Sequence, residues 1–154
     1  MKLEVLLGKL LPTEIRRMQN RVYILDSNIW ISFMITRRLH LLVALIQDNQ
    51  LTILTNPHLI EEIREVLARP KFRKYIKQSD VKELIAIHLK ICVLVAEVEQ
   101  RKQLTDTKDD FLLNLYHDGN ATGIVTGDKE LLHEAGILNY HVMTLIEFET
   151  EIRN

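Results

Sequence analysis

The chain has 154 residues, of which 47% are hydrophobic and 27% charged, and its net charge is −1. These values are typical of one globular domain with a sizeable core. They exclude a global polycation that binds nucleic acid or anionic membranes indiscriminately. No segment is long and apolar enough to cross a bilayer, and the start of the chain lacks the features of a signal peptide. The single cysteine, Cys92, excludes an internal disulfide and suits a reducing compartment, so we expect a cytoplasmic protein with a buried thiol.

Residues 1–20 precede the first predicted strand. The leucines of residues 3–11 fall at helical spacing, which predicts an amphipathic helix that covers a sheet edge or a partner surface. Because Met18 lies just before the core begins, an upstream extension is the alternative, and the sequence leaves both open. We assign residues 21–154 to a single domain.

Short apolar runs alternate with helical patterns along that domain. The predicted strands are residues 22–25, 51–55, 123–126 and 140–143. Helices are predicted from about Asn28, over 39–46, over 57–68, after Ser79, from Asp106 or Thr107 to about 117, over 129–134 and after Thr144. This alternation predicts a three-layer α/β/α sandwich around a short parallel sheet.

The first apolar run stops at Asp26. Burying a carboxylate beside a strand is costly unless a cation or hydrogen bonds compensate it, and the carboxyl end of a central strand is where α/β proteins bind ligands. The position alone leaves a second interpretation open, in which Asp26 only caps the helix that begins near Asn28.

Further carboxylates fall near the predicted strand ends. Asp128 follows the strand at 123–126, Glu62 flanks the apolar stripe of its helix, and Asp106 and Asp109 lie in the first turn of another. Glu61 is expected to face water. Each acid alone is more often a cap or a solvated charge, but several at one sheet end repel one another unless divalent cations neutralise them. Oxygen ligands without Cys or His favour Mg²⁺ or Mn²⁺.

Four blocks of the sequence resemble the signatures of PIN domains, in the family's order. Residues 22–28 resemble its opening strand and Asp-(Thr/Ser)-Asn motif, residues 106–113 its third block, and residues 124–129 its last. Residues 60–72 resemble the second signature in the branch of toxin components of toxin–antitoxin systems, the VapC-like ribonucleases. No block is decisive alone, whereas four at the right spacing over residues 22–148 are a strong signal.

The resemblance implies a ribonuclease site that uses Mg²⁺ or Mn²⁺ to lower the pKa of a bound water for in-line attack on a phosphodiester. It also implies RNA as substrate, a small antitoxin as partner and a homodimer. Its implied metal ligands and catalytic residues are Asp26, Glu62, Asp109 and Asp128, with Asn28, Thr126 and Asp106 in supporting roles.

A basic segment follows the second block. Residues 64–77 carry six basic side chains against one acid, Glu65, and the aromatic Phe72 and Tyr75 lie among them. Such a segment suits contact with phosphates and occasional stacking on bases; the alternative is a solvated helix face with buried aromatics. The residues expected to bind substrate are Arg69, Lys71, Arg73 and Lys74.

The sequence departs from the family pattern at Thr107, where proline is frequent, and at Tyr116, where a small residue is frequent. Tyr116 would either narrow the site or repack its helix. Asp110 competes with Asp109 for the same role, but its position four residues before Asn114 predicts that it points outward.

Three other functions compete with the ribonuclease. A HAD-type phosphatase needs a second aspartate two positions after the first, and Asn28 occupies that position. A catalytically silent PIN-like module that binds RNA or protein remains the main alternative. DNA cleavage also stays open, because the preference for RNA rests on resemblance alone.

Overall fold

Five short strands form the centre of the protein. The structure is a computed structural model that describes residues 21–96 and 101–154. The predicted helical extension at 1–20 and residues 97–100 of the predicted loop lie outside the described residues. The strands are β1 (Val22–Leu25), β2 (Thr52–Thr55), β3 (Val93–Leu94), β4 (Gly123–Val125) and β5 (Val142–Met143).

All strand pairs in this sheet are parallel, and the order is β3-β2-β1-β4-β5. The central strand β1 pairs with β2 on one side and with β4 on the other, so that Tyr23 lies opposite both Ile53 and Gly123. Parallel strands present their carboxyl ends at one edge of a sheet. The residues that follow β1 and β4, Asp26 and Thr126, therefore lie side by side at that edge.

Seven α-helices pack around the sheet in the described part of the chain, and the predicted three-layer α/β/α sandwich is confirmed. Two 3₁₀ turns, Pro70–Phe72 and Thr107–Asp109, interrupt the connections. The helices are α1 (Ser27–Ile35), α2 (Leu39–Asp48), α3 (Pro57–Leu67), α4 (Gln78–Ile91), α5 (Asp110–Asp118), α6 (Lys129–Ile137) and α7 (Leu145–Arg153).

Side-chain caps explain where several helices begin. Asn56 Oδ1 accepts a hydrogen bond of 2.8 Å from the amide of Leu59, and Thr144 caps α7, both as predicted. The predicted cap at Ser79 is wrong. The helix begins at Gln78, because the carboxylate of Asp80 accepts the amide of Lys77 at 2.9 Å and stabilises an earlier start.

The core lies on both faces of the central strands. Ile24 and Leu25 of β1 are inaccessible to solvent, as are Trp30 of α1 and Leu112 of α5. Full burial of each such side chain stabilises the fold by about 1.5–3 kcal/mol, so the ends of β1 and β4 are held firmly. Within the described residues, no helix combines the length and apolarity that crossing a membrane requires.

His88 is a buried polar group of the core, and Cys92 is half-buried and packs against that core. Burial raises the pKa of the Cys92 thiol to about 12, which keeps it protonated. The predicted burial of the thiol is confirmed only in part, because Cys92 is half-buried. His88 Nε2 lies 2.7 Å from the hydroxyl of Thr55, and burial lowers the pKa of the imidazole to about 4. Both groups are therefore uncharged at neutral pH.

Two features of the fold were missed or left open by the sequence. Strand β3 was not predicted, because it has two residues and both are at the sheet edge, with Val93 50% and Leu94 58% exposed. Tyr116 packs edge-to-face against Tyr140, with ring centroids 5.1 Å apart. Tyr140 precedes β5 and thus lies at the amino ends of the strands, so Tyr116 repacks its helix rather than narrowing the site.

Candidate active site

Asp26 is the most deeply buried carboxylate at the carboxyl edge of the sheet, with 5% of its surface exposed. Its Oδ1 accepts the amide of Ser27 at 2.7 Å, and its Oδ2 accepts the hydroxyl of Thr126 at 2.8 Å and the amide group of Asn28 at 3.2 Å. Asp26 is also the N-cap residue of α1. Its role as a cap and its place in a buried polar cluster are therefore compatible, although the sequence presented them as alternatives.

Thr126 connects the exits of β1 and β4. Besides donating to Asp26, its hydroxyl accepts the backbone amide of Asp128 at 3.0 Å and the side-chain amide of Asn28 at 3.4 Å. The Oδ1 atom of Asn28 in turn accepts the amide of Gly127 at 3.1 Å. This network fixes the relative positions of Asp26 and Asp128. The predicted supporting residues Asn28 and Thr126 therefore connect the ends of β1 and β4 through their side chains.

Asp128 begins α6 as its N-cap. Its Oδ1 accepts the amides of Glu130 at 2.9 Å and Leu131 at 3.4 Å, and the residue is half-buried. Its charge contributes to raising the pKa values of both Asp26 and Asp109. The Asp128 carboxylate therefore faces the same region as those two side chains.

Glu62 reaches this region from α3. The residue is half-buried, and its Oε2 is a buried oxygen that has no hydrogen-bond partner in the described part of the chain. Burial raises the pKa of the Glu62 carboxyl, and the charge of Asp109 raises it further. A hydrogen bond from the Ser27 side chain and the positive charge of Lys108 oppose that rise. Its neighbour Glu61 is exposed, as predicted.

Asp109 and Asp110 face different surroundings, although they are consecutive. Asp109 ends the 3₁₀ turn and is half-buried. Burial, followed by the charge of Asp26, raises its pKa to about 6. Asp110 is only 6% exposed, and its Oδ1 accepts the amides of Gln103 at 3.0 Å and Leu104 at 2.8 Å. The prediction that Asp110 points outward is therefore wrong: its carboxylate turns inward because it binds the preceding loop.

Asp106 lies at the rim of the cluster. It is exposed, its Oδ1 accepts the amide of Lys108 at 3.3 Å, and its Oδ2 lies 3.4 Å from the Lys108 ammonium. Its charge contributes to the raised pKa of Asp109. Asp106 thus acts on the cluster electrostatically, from a solvated position.

The four predicted ligands are coupled by charge. Burial raises the pKa of Asp26 to about 6, and the charges of Glu62 and Asp128 add to this effect, which the hydrogen bond from Thr126 partly offsets. Asp109 responds to Asp26 and Asp128, and Glu62 responds to Asp109. Like charges disfavour ionisation of all members of such a group, so a cation bound among them stabilises their ionised forms.

A groove of about 960 Å³ opens beside this cluster, and Glu62 is part of its lining. Of the predicted substrate-binding residues, Arg69 also lines this groove. The other three, Lys71, Arg73 and Lys74, are exposed and follow Arg69 in and after the turn Pro70–Phe72. Phe72 packs partly against the core, with the Lys71 ammonium 4.9 Å from its ring centroid.

Most of the chain matches one protein family. A family model described as PIN domain matches residues 22–130, a stretch that contains Asp26, Glu62, Asp109 and Asp128. The chain belongs to the PIN domain family. Members of this family are generally nucleases, which are hydrolases, and they generally use divalent metal ions. No curated protein and no solved structure matches the chain significantly.

The donor set of this PIN domain fits a divalent cation. The donors are carboxylate oxygens, which Mg²⁺ and Mn²⁺ prefer as ligands. One of these oxygens, Oε2 of Glu62, has no hydrogen-bond partner among the described residues and can coordinate a cation. Among residues 21–96 and 101–154, no three Asp, Glu, His or Cys side chains are grouped so as to hold one ion. Mg²⁺ typically binds one or two carboxylates and keeps several waters or substrate phosphates, and this cluster suits that mode of binding.

Three residues beside the acids of the PIN domain were not selected from the sequence: Ser27, His58 and Lys108. Ser27 and His58 both lower the pKa of Glu62, and Lys108 lowers those of Glu62 and Asp109. His58 could have been found because it precedes Glu62 by four residues and so shares its helix face. Lys108 directly precedes Asp109, but no spacing rule assigns an exposed lysine to a site.

Proposed function

We propose that this PIN domain is a metal-dependent endoribonuclease that hydrolyses RNA phosphodiester bonds with Mg²⁺ or Mn²⁺. Asp26, Glu62, Asp109 and Asp128 are the proposed catalytic residues and metal ligands. The observation that carries the proposal is their electrostatic coupling at one edge of the sheet, where burial and mutual repulsion raise the pKa values of Asp26 and Asp109 to about 6. Perturbed carboxyl groups in a cleft are typical of functional sites.

The roles of the side chains follow from their surroundings. Hydrogen bonds from Ser27, Asn28 and Thr126 hold Asp26 in one orientation, so its carboxylate is positioned before any ligand binds. Thr126 and Asn28 keep Asp128 in register with it, and the unpartnered oxygen of Glu62 completes the set. A bound cation supplies a water of lowered pKa and neutralises the charge of the phosphate. Asp106 is proposed to contribute negative charge from the rim.

Arg69, Lys71, Arg73 and Lys74 are proposed to hold the RNA backbone. Arg69 is the best supported of the four, because it lines the groove that contains Glu62. Phosphate contacts by Lys and Arg supply much of the affinity for nucleic acid without reading its sequence. The choice of RNA over DNA rests on the family, which suggests RNA binding.

We further propose that the protein is the toxin of a type II toxin–antitoxin pair and acts in the cytoplasm as a homodimer. The support is the resemblance of residues 60–72 to the signature of the toxin branch. The groove beside Glu62 is large enough, at about 960 Å³, to receive side chains of a small antitoxin. A small gene adjacent to this one, whose product copurifies with the chain and inhibits cleavage, is the expected result.

A second candidate function is a catalytically silent PIN module that binds RNA or protein. One observation favours it: within the described residues, no three potential ligands are grouped around one metal position. The two candidates differ in a single measurable property, which is metal-dependent cleavage.

The deciding experiment measures cleavage of RNA with Mg²⁺ or Mn²⁺, with EDTA, and in the variants Asp26→Asn and Glu62→Gln. Glu61→Gln is the matched control, because Glu61 adjoins Glu62 but is exposed. Each inactivating change is expected to lower cleavage by about 100-fold or more, since even outer-shell partners of metal ligands cost about 10–100-fold. Cleavage that survives EDTA and Asp26→Asn contradicts the mechanism. Binding without cleavage under either metal favours the silent module.

A further inference from the structure

A second groove lies between α2 and α4, and none of its lining residues belongs to the acidic cluster. Its volume is about 750 Å³, within the range of binding pockets in proteins (about 300–1,000 Å³). One face of each helix forms a wall, because the lining residues recur at helical spacing. The apolar residues of the lining are Leu39, Val43, Ile46, Leu51, Ile87 and Ile91.

This groove is apolar and nearly balanced in charge. Apart from His40, the charged side chains in its described lining are one acid, Glu83, and one base, Lys90. Val43 and Ile87 are half-buried, so the described residues leave part of their apolar surface uncovered. Contiguous apolar surface of this kind marks an interaction site. The groove therefore favours an apolar occupant over a highly charged one such as nucleic acid.

The chain enters the described part of the structure at one end of the groove. The carbonyl of Arg21 accepts the amide of Thr52 at 3.0 Å, and the guanidinium of Arg21 donates to the carbonyl of Asn49 at 2.7 Å. The two residues between Asn49 and Thr52 line the groove. Residues 1–20 therefore join the fold directly beside it.

The leucines of residues 3–11 match the groove in length and in character. The sequence predicts a helix in which one face consists of Leu3, Leu6, Leu7, Leu10 and Leu11. Such a helix rises about 12 Å from its first residue to its last, which equals the rise of α2 from Leu39 to Gln47 and of α4 from Glu83 to Ile91. This leucine stripe can therefore contact both walls along their length.

The segment also needs a surface to stabilise it and has the reach to find this one. A helix of nine residues with a glycine at position 8 is marginal in water by itself, so burial of its leucines is required. The nine residues 12–20 can span up to about 30 Å. A segment held by so short a connection has an effective concentration in the mM range, which favours it over a free partner.

From these observations we propose that residues 3–11 form an amphipathic helix that packs its leucine stripe into the groove between α2 and α4 of the same chain. The segment completes the outer helical layer beside β2 and β3, and its leucines are not offered to another protein. This proposal goes beyond the ribonuclease function and does not depend on it.

Photocrosslinking in the full chain tests the packing. Benzoylphenylalanine replaces either Leu6, at the edge of the leucine stripe, or Val5, on the opposite face of the predicted helix. Position 6 is expected to crosslink to residues 39–51 or 83–91 within one chain, as mapped by mass spectrometry, and position 5 is not. Crosslinks that join two chains assign the groove to a second copy and overturn the proposal. Crosslinks from position 6 to other elements, equal yields from both positions, or no crosslinks also overturn it.

Thermal unfolding of the full chain provides an independent measurement. Leu10→Asp and Ile87→Ser are each expected to lower the melting temperature by about 3 °C or more, because each removes buried apolar contacts. Residues in contact are not additive, so the double variant is expected to lose less than the sum of the single changes. Val5→Asp is the matched control and is expected to melt within about 1 °C of the unmodified protein.

Two results of the melting experiment refute the docked helix. One is strict additivity of Leu10→Asp and Ile87→Ser, and the other is a Leu10→Asp variant that is as stable as the Val5→Asp control. If Ile87→Ser fails to fold, the comparison of Leu10→Asp with Val5→Asp still decides, together with the crosslinks.

Discussion

The hydroxyl of Thr126 donates a hydrogen bond of 2.8 Å to Oδ2 of Asp26, a residue 100 positions earlier in the chain. Both side chains are buried at the carboxyl edge of the sheet. The bond lowers the pKa of Asp26, whereas burial and the neighbouring acids raise it to about 6. At neutral pH, the Thr126 hydroxyl therefore stabilises the ionised form of Asp26, whose burial is energetically unfavourable. Thr126 is a positioning residue of the proposed site.

Replacing Thr126 with valine tests that role. The variant keeps the volume of the side chain but loses the donor to Asp26 and the acceptor for the amide of Asp128. We expect the acidic limb of the pH–rate profile to move upward by about one pH unit, because a hydrogen bond to a charged group contributes about 1.5–3 kcal/mol. Thr126→Ser retains the hydroxyl and is expected to restore the original profile. An unchanged profile in the valine variant contradicts the proposed role.

The free energy of unfolding without metal should depend on the ionisation of Asp26. Its pKa is about 6 in the folded protein and 3.8 in the reference state. A raised pKa contributes stability that is complete below pH 3.8 and is lost as the pH rises through about 6. At pH 8 in EDTA, we therefore expect Asp26→Asn to be more stable than the unmodified protein, by about 1–2 kcal/mol.

Urea denaturation at pH 4 and pH 8 measures this difference. The stabilising effect of Asp26→Asn is expected to disappear at pH 4, because the folded protein then carries a protonated Asp26. Saturating Mg²⁺ at pH 8 is expected to reduce or reverse the advantage, since binding to the folded state alone stabilises the unmodified protein. A variant that is less stable than the parent at pH 8 in EDTA shows that the lost hydrogen bonds exceed the cost of the charge.

Asp109 and Asp110 form a natural pair for separating catalysis from stability. Asp109→Asn removes a charge from the proposed cluster and is expected to abolish cleavage while the fold persists. Asp110→Ala leaves the amides of Gln103 and Leu104 without their acceptor. This is expected to cost about 1–3 kcal/mol of unfolding free energy, with cleavage retained by the folded fraction. The reverse pattern in melting and cleavage assays assigns the catalytic role to Asp110.

The basic segment predicts the salt dependence of RNA binding. Replacing Arg69, Lys71, Arg73 and Lys74 with alanine is expected to weaken binding and to flatten the slope of log K against log[salt], by about one for each lost phosphate contact. Arg69→Ala alone should have a larger effect than Lys74→Ala, because Arg69 lines the groove beside Glu62. Lys82→Ala on α4 is the control. An unchanged slope in the quadruple variant refutes the role of the segment.

The sequence predicts the layers of the fold and the positions of the acids that follow strands. Both depend on the spacing of apolar and polar residues that are close together in the chain. One apolar run stops at Asp26 and another stops before Asp128. Because the two strands pair in parallel, their carboxyl ends lie at the same edge of the sheet, which brings the two carboxylates to that edge. Asn56 and Thr144 were recognisable caps for the same reason: each bonds to an amide three residues away.

The inward turn of Asp110 and strand β3 could not be predicted from such patterns. Asp110 is satisfied by amides of residues 103 and 104, in a loop whose path the sequence does not encode in any periodicity. Strand β3 is defined by its pairing with β2, in which Leu54 lies opposite Val93. Its exposed valine and leucine resemble the end of the preceding helix, so only the tertiary pairing distinguishes them.

The pairing of β1 with β4 also bears on when the protein can first become active during its synthesis. Tyr23 pairs with Gly123, which lies 100 positions later in the chain, and the ribosome releases β1 and α3 long before β4. A nascent chain that ends before β4 has Asp26 and Glu62 but lacks both Thr126 and Asp128. If the proposed chemistry is correct, no translation product that ends before Asp128 carries the full site, and the messenger RNA is not exposed to an active nuclease until the first 128 of the 154 residues have been made.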